Sequence, residues 1–430
     1  MSELSGVSAS DVFVRKGGVL HVEGVPLPAL AEELDTPTWV YAGSRIDAAY
    51  RGVAEAMKQA TDRDVLIAYA IKANANLAIL KRLAEAGCGA DIVSRGELRR
   101  ALTAGIAPEK IVYSGVGKRR DEIREALEVG IRAIHVESEP ELAVVAEEAA
   151  ARGEPARIAL RVNPDVDPKT HPYIATGLHD TKFGLELDVA RRLLPGIVES
   201  PHLVLEGVAC HIGSQLDSPQ PLQEAIAILA RFAKECLEAG APLKSIDVGG
   251  GWPMHYGHEQ HPYPPAGAFG EAIRAGLEEG GCTELDLITE PGRALVGDAG
   301  ALLTRVLFVK EQAGKRFLIV DGAMTELIRP ALYGAYHAIV PVTLREGPLR
   351  PADVVGPVCE SGDFFAHGRL FPPVEPGDLV AVLGAGAYGR EMASTYNARP
   401  PAAEVLVEGE RWRVVRERAP LESLWAGESF

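Results

Sequence analysis

Cysteine is scarce in this chain and badly placed for cross-linking. Cys88, Cys210, Cys236, Cys282 and Cys359 are odd in number, scattered, and never spaced C-x-x-C, which argues against a disulfide framework and against a zinc site. No stretch approaches the length of a membrane span, and residues 1–15 carry acidic side chains without the apolar segment of a secretory leader. Polar low-complexity tracts are missing as well. With 47% hydrophobic and 24% charged residues, the composition is that of a folded globular protein. Basic residues are in deficit: 44 Lys and Arg stand against 60 Asp and Glu, giving a formal charge of −16. Without a local basic patch, such a chain repels nucleic acid and anionic membranes, so a small-molecule partner in the cytoplasm is expected.

What is present is a long run of alternating elements. At 430 residues the chain exceeds one ordinary domain. Between about Asp64 and Glu290, apolar β-branched runs begin near Val65, Gly89, Ile111, Arg132, Arg157, Leu205, Ser245 and Asp286, with helical periodicity between them. Eight βα units fit a closed (β/α)8 barrel better than a doubly wound open sheet. The connection from Asn163 to Glu186 is too long for a plain turn and reads as a functional loop. Beyond Pro291 the pattern turns to strands and turns, as in a mainly-β sandwich or Greek-key barrel domain. The expected division is a barrel over 36–300 and a β domain over 301–430, completed by residues 1–35 with their hairpin around Gly17-Gly18.

Barrel enzymes carry their chemistry at the carboxyl ends of the strands. Those ends read Lys72, Asp91, Ser114, His135, Arg161, His211, Gly249-Gly250-Gly251 and Glu290. Lys72 closes the run Val65–Ile71, where a lysine must find a partner, lose its charge, or snorkel to the surface. A lysine that loses its charge is a Schiff-base nucleophile. Asp91 could instead cap the helix near Arg95, and His135 could be a plain core histidine. The glycine run lets backbone N–H groups approach an anion, and Glu290-Pro291-Gly292-Arg293 adds small groups where barrels hold phosphate. A lysine, a phosphate cradle and a carboxylate that keeps a pyridine nitrogen protonated together point to pyridoxal 5′-phosphate, with His211 stacked on the ring and Ser214 near the phosphate.

Six segments then carry a resemblance: Tyr69-Ala70-Ile71-Lys72-Ala73-Asn74, His211-Ile212-Gly213-Ser214, Glu290-Pro291-Gly292-Arg293, Ile328-Arg329-Pro330-Ala331-Leu332-Tyr333, Cys359-Glu360-Ser361-Gly362-Asp363 and Gly386-Ala387-Tyr388-Gly389. From about Thr36 to Arg399 the chain resembles the barrel-type (fold type III) pyridoxal-phosphate decarboxylases, in particular the branch acting on diaminopimelate. The resemblance implies that Lys72 carries the cofactor, His211 stacks on it, Glu290 holds its ring nitrogen, and Gly251, Gly292, Arg293 and Tyr388 bind its phosphate and neighbouring atoms. It also implies a homodimer in which the Cys359 loop of one chain covers the lysine of the other, with Cys359 as the catalytic acid.

Specificity follows from the substrate. Diaminopimelate carries a second amino-acid head, so its site needs both signs of charge. Arg293 and Arg329 can make paired hydrogen bonds to the distal carboxylate, Tyr333 can add a hydroxyl, and Glu360 can take the distal ammonium. The implied reaction converts meso-2,6-diaminopimelate to L-lysine and carbon dioxide, the last step of lysine biosynthesis. Two loops depart from the family pattern, Trp252-Pro253-Met254-His255-Tyr256 and Gly322-Ala323-Met324-Thr325, and are expected to line the pocket. The rivals are a decarboxylase of D-lysine, D-ornithine or a carboxylated polyamine, a racemase, a silent regulator on the same scaffold, and a metal-dependent hydrolase. The last would need a His/Asp ligand cluster that the strand ends do not spell out, so no metal is expected.

Overall fold

The protein is described here by a computed structural model covering residues 12–167 and 182–429. His171-Pro172-Tyr173, in the expected functional loop, lies outside the described residues. The contacts divide into two compact units. One comprises Ala49–Pro253 and Tyr263–Ala294; the other takes the chain up to Ala48, the excursion Met254–Pro262, and everything from Leu295 on.

The first unit is a closed parallel barrel of eight strands: β1 (Val65–Ala70), β2 (Gly89–Ile92), β3 (Ile111–Tyr113), β4 (Ala133–Val136), β5 (Ala156–Asn163), β6 (Leu203–Ala209), β7 (Ser245–Asp247) and β8 (Asp286–Thr289). Closure comes from β8 pairing back onto β1, with Leu287 opposite Val65, Ile288 opposite Leu66 and Thr289 opposite Ile67. The strands are nearly continuous apolar runs because both faces are covered, the inner by side chains such as Ala68, Val112 and Ile288, the outer by helices. A two-residue strand, Leu185–Glu186, adds to β5 outside the ring and ends the long connection.

The helices begin and end where local chemistry requires. Asn76 caps Leu77–Glu85 by accepting from the Ala78 N–H, and Ser94 caps Arg95–Thr103 by accepting from the Glu97 N–H. Asp91 is therefore not the cap of that second helix. Gly130 and Gly153 close two others in the left-handed conformation. Helices Gln220–Glu238 and Ala266–Gly280 approach unusually closely. A Cβ on Gly276 would stand 2.7 Å from the Gln223 carbonyl oxygen and 2.9 Å from Ile226 Cβ.

The second unit is mainly β. Its organising strand is Gly300–Gln312, thirteen residues long, which pairs with Thr38–Ala42 and Leu379–Leu383 along its first half and with Lys315–Val320 along its second. Arg350–Val355 and Phe364–Phe371 extend one side, Ala403–Glu408 and Arg411–Arg416 the other. The hairpin Phe13–Lys16 with Val19–Val22 joins this unit through Val19 and Thr343 and through the Leu20 N–H to the Val342 carbonyl. Phe13, Leu20, Val22, Leu27 and Leu30 pack into its core with Val40, Leu303 and Val405. Thr38–Ala42, which the expected barrel range 36–300 includes, pairs with strands of the β unit on both sides.

Gly276→Leu is expected to destabilise the barrel by about 1–3 kcal/mol through overpacking between the two helices. A denaturation midpoint equal to wild type would show that this helix pair is not in close contact.

Candidate active site

Parallel register decides which side chains meet at the barrel mouth. Ala70 lies opposite Asp91, Ala209 lies opposite both Arg161 and Asp247, and His135 lies opposite Ala159. The carboxyl ends of neighbouring strands are thus level, and their last residues form one ring of ionisable groups. Beyond β8 the Ala70 N–H donates to the Pro291 carbonyl at 3.1 Å, tying the end of the last strand to the first. Gly292 fits there because a Cβ would already press on Ala70 and Ala73 at 3.1 Å.

Among the described residues Lys118 and Lys72 reach this rim, and of the two only Lys72 suits nucleophilic work. Lys118 is buried, and its ammonium donates to Glu141 Oε1 at 2.7 Å, the Gly115 carbonyl at 2.7 Å and the His135 carbonyl at 2.6 Å. All three of its N–H bonds are committed, so it fastens loops although burial lowers its pKa. Lys72 sits in the short 3-10 turn Ile71–Ala73, its side chain 38% exposed, with Nζ donating to Asp91 Oδ2 at 2.6 Å. Of the fates open to a lysine there, it has found a partner while staying accessible. The turn after it is held by the buried Tyr69 hydroxyl donating to the Asn74 carbonyl and by Arg100 donating to the Ala75 carbonyl.

Beneath Lys72 lies a buried acid cluster. Glu137 accepts from Arg161 Nη1 at 2.8 Å; burial alone would raise its pKa, but Arg161, Lys118 and the N–H groups of Gly115 and Gly184 together lower it. Among the described residues no lysine or arginine forms an ion pair with Asp247 or Glu290, and the more distant Arg161 and Lys72 lower them less than burial raises them. Burial and its acidic neighbour Asp91 push the Asp247 carboxyl up to about 7, and burial with Asp247 and Asp91 drives Glu290 well above the usual carboxylate range. His135 lies between them, its ring nitrogens 3.9 Å from Asp247 and 3.7 Å from Glu290, with its pKa lowered to about 3 by burial and by Lys118 and Arg161. It is a neutral histidine, within 3.2 Å of the Ser114 hydroxyl, which in turn reaches Glu290 at 3.4 Å. His135, Asp247 and Glu290 bring their ligating atoms within 4.8 Å of one another, a convergence not spelled out by the strand ends.

The glycine run does something other than expected at its first two positions. The Gly249 N–H donates to Asp247 Oδ1 at 2.9 Å and the Gly250 N–H to His211 Nδ1 at 3.0 Å. These glycines orient an acid and an imidazole, and no Cβ fits on either, because Gly249 lies against the Cys210 backbone beyond β6 and Gly250 against the Glu290 backbone beyond β8. Because an N–H can only donate, His211 carries its proton on Nε2, in keeping with a pKa lowered well by burial, Arg161 and Lys72. Nearby, Arg293 Nη2 donates to Ser214 Oγ at 3.1 Å. A buried arginine beside a hydroxyl, a flat neutral imidazole, an accessible lysine and a proton-bearing carboxyl form a donor set that suits an anionic, nitrogen-containing ring aldehyde such as a pyridoxal.

Other expected residues lie in the β unit. Arg329 is buried at the start of the helix Arg329–Tyr333; Tyr333 and Tyr388 are half-buried, Tyr388 at φ +56°; Cys359 and Glu360 are exposed. The Cys359 loop is shaped by Asp363, whose carboxylate accepts from the Val358 and Met324 N–H groups at 2.7 Å each, and by Asn397, which accepts from the Cys359 N–H at 2.8 Å. The two departing loops are packed rather than open: Trp252 is buried and donates to Thr289 Oγ1 at 3.1 Å, and Thr325 Oγ1 donates to Glu326. Glu137 and Asp247 were not anticipated, although each stands at or just beyond a strand end beside an anticipated residue.

Residues 45–297 match the family model for the pyridoxal-binding domain of pyridoxal-dependent decarboxylases. The chain is 47% identical to a diaminopimelate decarboxylase of Pseudomonas aeruginosa over 98% of this chain and 99% of that protein. Among solved structures it is similar to diaminopimelate decarboxylase from Helicobacter pylori complexed with L-lysine, with TM-score 0.88 and 43% identity over 93% of this chain and 98% of that one. It is also similar to the enzyme from M. jannaschii in complex with L-lysine, with TM-score 0.93 and 36% identity over 98% of both chains.

The raised carboxyl has a consequence for stability. Asp247 titrates near 3.8 when unfolded and near 7 when folded, so the folded state holds the extra proton. Its contribution is full below the unfolded value and fades as pH rises through about 7. Cofactor-free protein carrying Asp247→Asn should lose part of the decline in stability between about pH 4 and 7, measured as the slope of melting temperature against pH. A slope unchanged from wild type would mean Asp247 is ionised throughout.

Proposed function

The chain belongs to the pyridoxal-dependent decarboxylases, and from that premise we propose that it decarboxylates meso-2,6-diaminopimelate to L-lysine and carbon dioxide, the last step of lysine biosynthesis. The observation that carries this is the accessible Lys72 above the Asp247–Glu290 pair, in a chain alike over nearly its whole length to diaminopimelate decarboxylases. Pyridoxal 5′-phosphate is the cofactor in this reading. When bound, it supplies an electron sink for the charge left behind by carbon dioxide.

The protein's residues have separable tasks. Lys72 attaches the cofactor and is kept in place by Asp91. Arg293, Ser214, Gly251 and Gly292, with Tyr388, hold the phosphate; Gly249 and Gly250 act at one remove, through Asp247 and His211. Glu290, raised while buried without a paired cation, would give its proton to the ring nitrogen and stay beside it as the carboxylate that keeps it protonated, and His211 would meet the ring face as a neutral imidazole. Cys359 holds at Sγ the proton destined for the reacting carbon. Arg329, Tyr333 and Arg293 take the distal carboxylate, and Glu360 the distal ammonium.

We further propose a homodimer in which one protomer's Cys359 loop serves its partner's Lys72, consistent with the exposure of Cys359 and Glu360 in a single chain. The cytoplasm suits the five free thiols. No helix among the described residues is long and apolar enough to cross a membrane.

Lys72→Ala should lose covalent capture of pyridoxal phosphate, read by mass spectrometry after borohydride reduction, along with all turnover; capture at an unchanged level would refute the assignment. Product identification with a panel of diamino acids should return L-lysine from meso-diaminopimelate as the main product. Glu360→Ala should weaken diaminopimelate use at least tenfold more than cofactor binding, and equal losses would remove its role. Mixing inactive Lys72→Ala and Cys359→Ala proteins should regain activity that neither has alone; failure to do so after subunit exchange would rule out the shared site.

A further inference from the structure

In the β unit, the excursion Met254–Pro262 brings Tyr256 against Arg329. Arg329 Nη1 donates to the Tyr256 hydroxyl oxygen at 2.8 Å and to His337 Nε2 at 3.3 Å, and its guanidinium carbon lies 5.1 Å from the Tyr256 ring centre. His337 is fully buried, and its other nitrogen, Nδ1, lies 3.0 Å from the Leu383 carbonyl. A carbonyl only accepts, so Nδ1 carries the proton; arginine only donates, so Nε2 is the acceptor. His337 is thus a neutral imidazole in a single tautomer, anchored to the strand Leu379–Leu383. Tyr256 stands edge-on to it, ring centres 5.3 Å apart at 86°, and rests on Gly384, where a Cβ would come within 3.5 Å of the tyrosine ring.

We infer that Tyr256 and His337 are positioning residues that fix the plane of the Arg329 guanidinium for the second carboxylate of the substrate. The inference rests on the role of Arg329 proposed above. Both partners are uncharged, so they orient the cation without cancelling it. A carboxylate is then met by an arginine whose rotation is already restricted, and two-point recognition loses less side-chain freedom on binding. The segment that departs from the family pattern is, in this reading, part of what selects a substrate with an amino-acid head at its far end. It acts through Arg329 rather than by touching substrate.

The test uses two competitive ligands that differ by one carboxylate, L-lysine and pentane-1,5-diamine, on the holoenzyme. Tyr256→Phe should raise the KM for meso-diaminopimelate and the inhibition constant of L-lysine by about tenfold or more, with the loss falling on KM rather than kcat. The inhibition constant of the diamine should stay within about twofold, since it lacks the group that Arg329 holds. His337→Leu should act in the same direction, and His337→Gln, which restores an acceptor, should recover part of the loss. Equal weakening of both ligands, or of neither, would overturn the inference. Arg329→Lys in the same assay separates the two readings. If it leaves the ratio of the two constants unchanged, the role of Arg329 itself fails; if it changes the ratio while Tyr256→Phe does not, only the positioning fails.

Discussion

The mouth of the barrel confines more acid than base in a place that water hardly reaches. Three acids have their own cation, Asp91 with Lys72, Glu137 with Arg161 and Glu141 with Lys118. Among the described residues Asp247 and Glu290 have none, and both of their carboxyl groups are raised. A buried carboxylate without a cation must take up a proton or gain a positive neighbour. The neutral His135 offers no relief, because burial and two nearby cations already hold it unprotonated. Among the described residues nothing positive is paired with Glu290, and in the function proposed above a protonated ring nitrogen would take that place.

That imbalance also gives the glycine run its purpose. Backbone N–H groups are the one kind of donor that can be packed this tightly without adding charge or volume, and Gly249 spends its N–H on Asp247, Gly250 on His211. Reading three glycines as an anion cradle treats every N–H as pointing outward. Here positive φ at Gly249 and Gly251 winds the loop through the gap between the Cys210–Gly213 backbone and that of Glu290. The first duty of Gly249 and Gly250 is to organise the acid and the imidazole; in the function proposed above, the arginine and serine side chains hold the phosphate.

Much of this was legible in the sequence, because the barrel is built from local repeats. Each strand is an apolar run that ends in a polar residue, so the eight starts and the ring Lys72, Asp91, His135, Arg161, His211 and Glu290 could be read off directly. Pairing was harder to read. Asp91 has a plausible local task as a helix cap, and only the register of β1 with β2 shows that it meets Lys72 while Ser94 does the capping. Lys118 lies in the loop beyond β3, past the strand end Ser114 where a polar residue draws notice, so a second buried lysine gave no signal. Thr38–Ala42 is as apolar as a barrel strand and sits next to the barrel in sequence, but its partners are at Gly300–Leu303 and Ala403–Val407, and no local pattern crosses such a separation.

The same separation explains why the β unit reveals less to a sequence reading while, in the function proposed above, it carries the features that distinguish one substrate from another. Decarboxylation by a pyridoxal enzyme requires the lysine, the ring-nitrogen acid and the phosphate cradle whatever lies at the far end of the substrate, so the barrel alone is compatible with any of several amino acids. Recognition of a second amino-acid head depends on how rigidly a cation and an anion are presented, and rigidity comes from packing between segments distant in the chain. Arg329 is held by residues 73 positions before it and 8 after it. Its identity is visible in a motif, whereas its orientation exists only in the folded unit, where a phenol and a fixed imidazole tautomer converge on one nitrogen. Charge type can be read from a sequence; the geometry that makes a charge selective has to be read from the fold.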